Sequence, residues 1–203
     1  MARLLILVSM TLMLAGCLVV PETYFKPSAP NAEHHASKCA GAGPLKDLAV
    51  LSGPQGIVIS VQPYLITATA FAPKSGIAIS IDLYIPPPVS VRFVSGTFLL
   101  TDEVTKVVHE YRAEYVWASS QSKKDIREPF SGRPLINWPY HLPRWFGKTI
   151  DQYPIAVRLT FWDVQSKQLK LRIPPLMVGA QTFEFPDIDI REVTEWISAP
   201  FNC

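Results

Sequence analysis

Cysteine and histidine are scarce in this chain, with three of one and four of the other among 203 residues. No paired CxxC and no HExxH is present, so the short patterns that build a zinc centre are missing and no metal or cofactor is expected. The GxSxG elbow, the P-loop and the GxGxxG turn are missing as well, which removes the stronger short signatures of hydrolases and nucleotide binders. An excess of one charge sign is also lacking. Nineteen basic residues face seventeen acidic ones, a net charge of +2, which is too even for the electrostatic footprint of a nucleic-acid binder. Nucleic acid is therefore set aside as a partner.

What the chain does have is apolar and proline-rich. A hydrophobic share of 48% argues against general disorder, and the length suits one substantial core. Nineteen prolines and 11% aromatic residues disfavour helices and suit short strands joined by turns.

The first twenty residues, MARLLILVSMTLMLAGCLVV, are organised for export. Arg3 is a short positive start, and Leu4 to Met13 form an apolar stretch broken only by Ser9 and Thr11. Leu14-Ala15-Gly16-Cys17 follows at once and resembles the lipobox of bacterial lipoproteins. Small residues at 15 and 16 let the backbone enter a protease cleft, and a cysteine thiolate is a better lipid acceptor than a serine hydroxyl. The resemblance implies a diacylglyceryl group on the Cys17 thiol, removal of residues 1–16, and acylation of the new amino terminus. Buried acyl chains contribute about 0.8 kcal/mol per CH₂, so two or three chains hold a protein to a bilayer almost permanently. Leu18 stands where enteric lipoproteins retained at the inner membrane carry aspartate. In a source with two membranes, the resemblance thus implies the periplasmic face of the outer membrane. An uncleaved anchor, a signal peptide cut elsewhere and a chance match are the rival readings. The apolar run through Val20 nears the roughly 17-residue minimum for a spanning helix, but Gly16, Cys17 and Pro21 weaken that rival.

From Pro21 to Gly43 the text is rich in Pro, Ala, Ser and Gly, without the period of helix or strand. Residues 17–43 are expected to form a lipidated, flexible tether, with 44–203 as one domain. His34 and His35 beside Cys39 lack a third fixed ligand and are read as linker residues. With Cys17 given to lipid, Cys39 and Cys203 are the remaining cysteines, and an oxidising compartment favours a bridge between them. Closing so long a loop adds at most roughly 5 kcal/mol. Two free thiols, or a bridge between chains, are the alternatives.

Beyond the tether the apolar period becomes two. In GIAISIDLYI, Ile77, Ile79, Ile81, Leu83 and Ile85 alternate with Ala78, Ser80, Asp82 and Tyr84, the pattern of a strand buried on one face. GIVISVQ, YLITATAFAP, VSVRFVSGTFLLTD, KVVHEYRAEYVW, PIAVRLTFWDV, KQLKLRIPP and TFEFPDIDI read likewise. The number of strands suggests an all-β, immunoglobulin-like antiparallel sandwich, with Pro63, Pro154 and Pro186 guarding edges. In REVTEWIS, the spacing of Val193, Trp196 and Ile197 predicts a short helix.

Candidate chemistry is thin. His109 and Glu110 are adjacent, but neighbours on a strand point to opposite faces, and His109 is expected beside tyrosines in the sheet interior. Asp102-Glu103 reads as a turn, and Asp187 and Asp189 as exposed alternation around Ile188. The stretch from 127 to 148 breaks the strand rhythm with a long connection, and long connections in compact domains are often functional. Trp138, Tyr140, His141, Arg144 and Trp145 are its candidate binding residues, since aromatic faces beside arginines stack on sugars, clasp peptides or rest at headgroups. The plainer reading is a flap that packs its aromatics against one end of the sandwich.

These observations point to an envelope lipoprotein, held to the bilayer through acylated Cys17, whose sandwich binds an envelope protein or cell-wall glycan. A structural subunit of a secretion or assembly complex is the alternative. A periplasmic hydrolase using His109 or His141 is the third, and would need that histidine in a pocket beside a carboxylate.

Overall fold

The structure is a computed structural model that describes residues 17–36, 47–67, 74–86, 89–113, 115–118, 126–129, 135–136 and 155–200. Its described elements are sixteen strands and one short 3₁₀ turn. Alternating apolar residues bring the strands together as antiparallel sheets, because each strand must bury one face and pair both edges.

The first sheet has five strands. In order they are β1 (Cys17–Ser28), β16 (Ile188–Pro200), β13 (Gln168–Arg172), β7 (Thr97–Asp102) and β8 (Val108–Arg112). The second has seven, β10 (Ile126–Pro129), β9 (Tyr115–Ala118), β12 (Ile155–Trp162), β5 (Gly76–Tyr84), β4 (Val58–Ile66), β3 (Asp47–Ser52) and β2 (Glu33–Ala36). Inward residues of both form one core. Phe98, Leu100, Leu169, Leu171, Ile188 and Ile190 come from the first sheet, and Ile59, Val61, Ile79, Ile81, Val157 and Leu159 from the second. Across the gap, the rings of Tyr111 and Phe161 meet edge to face at 5.7 Å. The fold is an all-β sandwich of facing antiparallel sheets.

A third sheet, β11 (Leu135–Ile136), β6 (Ser90–Phe93), β14 (Leu176–Val178) and β15 (Gln181–Phe183), lies at the end of the sandwich where β5 and β13 finish. Val91, Phe93, Leu176 and Val178 join the same core from there. Near this end Arg172 donates to both carboxylate oxygens of Asp187, at 2.9 and 3.0 Å, which holds Asp187 below the usual carboxylate range. Asp189 lies 4.0 Å from Lys170, so the two aspartates face basic partners of their own sheet.

Three expectations are corrected. Residues 17–28 are not a loose tether: they pair with β16 throughout, from Cys17 opposite Pro200 to Ser28 opposite Asp189. Glu33–Ala36 pairs with β3, so the described part of 17–43 belongs largely to the sheets. Residues 188–200 are one strand, without the short helix expected at REVTEWIS, because β1 supplies a hydrogen-bonding partner along their whole length. The stretch 107–118 is not a single strand either. β8 belongs to the first sheet and β9 to the second, with the amide of Ala113 bonded to the Gly96 carbonyl between them.

The prolines follow the ladder. Pro21 and Pro27 lie on β1, an edge strand whose outer side needs no donors. Pro63 pairs with Ile79 of β5, and the register of β3 with β4 ends two residues short of it, at Val61. Pro154 lies outside the described residues, and Pro186 just precedes β16.

Candidate functional site

The residues chosen from the sequence divide sharply. Trp138, Tyr140, His141, Arg144 and Trp145 lie outside the described residues, as do Cys39 and Cys203 with their expected bridge. Of the 127–148 connection, the backbone of β10 and β11 is described. β10 runs along β9 at the edge of the seven-stranded sheet, and β11 along β6 at the edge of the third. Cys17 is the first described residue of β1, opposite Pro200. Among the described residues no three histidine, cysteine or acidic side chains gather as a metal site, and no helix is long and apolar enough to cross a membrane.

Two arrangements of polar side chains are described. The first is an open concavity of about 620 Å³ where the β7–β8 turn meets the connection from β12 to β13. Asp102, Thr105 and His109 line one side, and Asp163, Ser166 and Lys167 the other. The sequence places the turn: Asp102 Oδ1 accepts the amides of Val104, at 2.8 Å, and Thr105, at 3.0 Å, closing the chain on itself. The Thr105 bonds are the largest cause that lowers the Asp102 carboxyl to about 2, with Ser166 and Val104 adding to it. His109 is half-buried on this concavity rather than enclosed in the sheet interior, and it makes no ion pair with a described carboxylate. Asp102 is occupied by its own turn, and Asp163 pairs with Lys74 at 3.2 Å. The arrangement offers an open surface for contact, where Val104 and Val107 join the polar lining, but its described residues hold no hydrogen-bonded histidine and carboxylate for proton transfer.

A pH dependence follows from the turn. The folded Asp102 carboxyl titrates below its ordinary value of 3.8, so its support is complete above that value and disappears as pH falls through about 2. Between pH 4 and 2, Asp102→Asn is expected to lose less stability than the wild-type chain. Paired thermal melts across that interval measure the difference.

The second arrangement is a polar row on the outer face of the seven-stranded sheet. Ser60 of β4 stands opposite Asp82 of β5, and Ser80 opposite Arg158 of β12. Burial raises the Asp82 carboxyl above its usual range, opposed by a 3.4 Å bond from the Ser80 hydroxyl and by the Arg158 charge. Tyr84 is pushed up to about 12, first by burial and then by Asp82. Tyr64 donates to Gln62 in the same row and is raised for the same two reasons. Alternation in GIAISIDLYI puts Ser80, Asp82 and Tyr84 away from the core, but nothing in the sequence marks Asp82 as half-buried. That burial depends on the assembled sheet.

No protein-family model, no curated protein and no solved structure matches the chain.

Proposed function

We propose that this chain is an envelope lipoprotein, acylated at Cys17, whose sandwich is a binding module displayed at the membrane surface. The observation that carries the reading is the ordered series of Arg3, apolar run and Leu14-Ala15-Gly16-Cys17. Its partner is an envelope protein or a cell-wall glycan, met through the aromatic and basic connection at 127–148. Supporting a contact role over catalysis, His109 makes no ion pair with a carboxylate among the described residues, and Asp102 accepts the amides of its own turn.

An immunoglobulin-like sandwich belongs to the same proposal. Two facing antiparallel sheets with one core support it, while sixteen described strands and a third sheet exceed the seven to nine strands of that fold.

Growth with a clickable palmitate analogue tests the anchor. Wild-type protein is expected to take up the label and fractionate with membranes, and Cys17→Ser to lose both properties. Equal labelling of the two proteins would remove the lipobox reading. Replacing Trp138, Arg144 and Trp145 by alanine in a chain that still folds is expected to abolish crosslinks to its envelope partner. An unchanged crosslinking pattern would remove that connection as the contact.

A further inference from the structure

The strand that begins at Cys17 leaves the sandwich at a definite end. β13 pairs with β16 only up to Gln168 opposite Arg191, and one further bond runs from the Glu192 amide to the Lys167 carbonyl. From Val193 to Pro200, β16 has β1 as its described strand partner, a two-stranded ribbon about 25 Å long at ~3.3 Å per residue. Its root is fixed, with Tyr24 and Phe25 buried and the Tyr24 hydroxyl donating to Glu195 at 2.8 Å. Its outer part carries no charged residue on either strand. Cys17–Pro21 reads CLVVP, and its register partners from Pro200 back to Trp196 read PASIW. The first charges inward are Glu22 and Glu195, which stand opposite each other.

The same end of the sandwich is where exposed apolar side chains collect. Val104 and Val107 lie in the turn between β7 and β8 and Val108 opens β8, beside the start of β13. Trp162 is the last residue of β12, and residues 163–167 carry the chain from it to Gln168, which fixes both sheets at one end. Trp162 stands opposite Gly76, and Gly76 opposite Ile66, which puts exposed Leu65 in the neighbouring row. Trp196, 72% exposed, lies on the ribbon itself. Of the seven large hydrophobic residues exposed among those described, only Val94 lies elsewhere, at the β6–β7 connection near the third sheet. Lysines around this end are matched by acids: Lys74 by Asp163, Lys106 by Glu103 and Lys167 by Glu192.

We infer that this end of the sandwich is a membrane-contacting face, with the ribbon entering the headgroup region and Trp196, Trp162 and the valine turn resting on it. The occupant is a lipid surface because the ribbon that carries the acceptor cysteine leaves from the same end. Tryptophan and valine beside an uncharged ribbon match the interfacial layer of a bilayer. Matched lysines and acids supply no net attraction to anionic lipid, so contact is expected on zwitterionic bilayers and to be insensitive to salt. The inference rests on acylation of Cys17 for its attachment, but not for its geometry.

The test uses acylated full-length protein in phosphatidylcholine vesicles whose acyl chains carry bromine, which quenches tryptophan on contact. Palmitate labelling is read on the same sample. The expected result is strong quenching in the wild type, much weaker quenching in Trp196→Phe and a smaller loss in Trp162→Phe, with melting temperatures unchanged. A labelled protein whose fluorescence is unquenched, or is quenched equally in all three, overturns the membrane face while the anchor stands. A labelled protein that is unquenched and sediments as a dimer assigns the face to a second copy and overturns it too. Failure of labelling removes the anchor instead. The Cys17→Ser chain then decides by flotation with the same vesicles: binding with quenched Trp196 supports the face, and no binding overturns it.

Discussion

Phe98→Ala is expected to destabilise the domain by about 3–5 kcal/mol, the cost of a large aromatic truncated in a closed core. Phe98 is 0% exposed on β7, and its ring meets Phe93 of the third sheet edge to face at 5.8 Å. It therefore serves two sheets at once. The cavity would be lined by core residues held by separate ladders, and those ladders restrict collapse into the space. Urea unfolding measures the loss, which at a slope of about 2–3 kcal/mol per molar moves the midpoint by more than about 1 M. A loss below about 1 kcal/mol would mean that the two sheets are not joined through Phe98.

Gly76→Ala is expected to be the most damaging of the small substitutions, by about 1–3 kcal/mol. A Cβ on Gly76 would lie 2.3 Å from the Phe161 carbonyl oxygen and 3.1 Å from the Trp162 Cα. Both are backbone atoms, so no side chain can rotate away and β5 must separate from β12. Alanine also reduces the freedom of the unfolded chain, which favours folding by about 0.4–1 kcal/mol, less than the clash costs. Urea midpoints measure the total. Faster amide exchange at 160–162 than at 157–159 would place the damage at the Gly76 end of the ladder. Equal stability of the two proteins would show that β12 can shift without cost.

Strand positions were legible where one face alone is buried. Ile77, Ile79, Ile81 and Leu83 alternate with polar or small residues, and all four are buried as the alternation requires. Legibility failed where apolar character does not mean burial. Val193, Trp196 and Ile197 suggest one face of a helix, yet Trp196 is largely exposed and sits on a strand. In residues 17–28 the side chains described as buried are Tyr24, Phe25 and Pro27, too few and too closely spaced to show a period of two. Of the candidate contacts, the concavity and the Asp82 row join residues from separate strands, so no local pattern could have announced them.

The all-β class is legible from the sequence alone, through alternation and proline content, as is the Leu14-Ala15-Gly16-Cys17 pattern on which the proposed anchor rests, because both are read locally. Tertiary structure decided what Cys17 is attached to. Pairing with residues 161 or more positions away turns an expected tether into a ribbon rooted in the core. It also decided that exposed valines and tryptophans from distant segments share one end. Sheet pairing depends on hydrogen bonds between remote strands, and nothing within either strand specifies its partner.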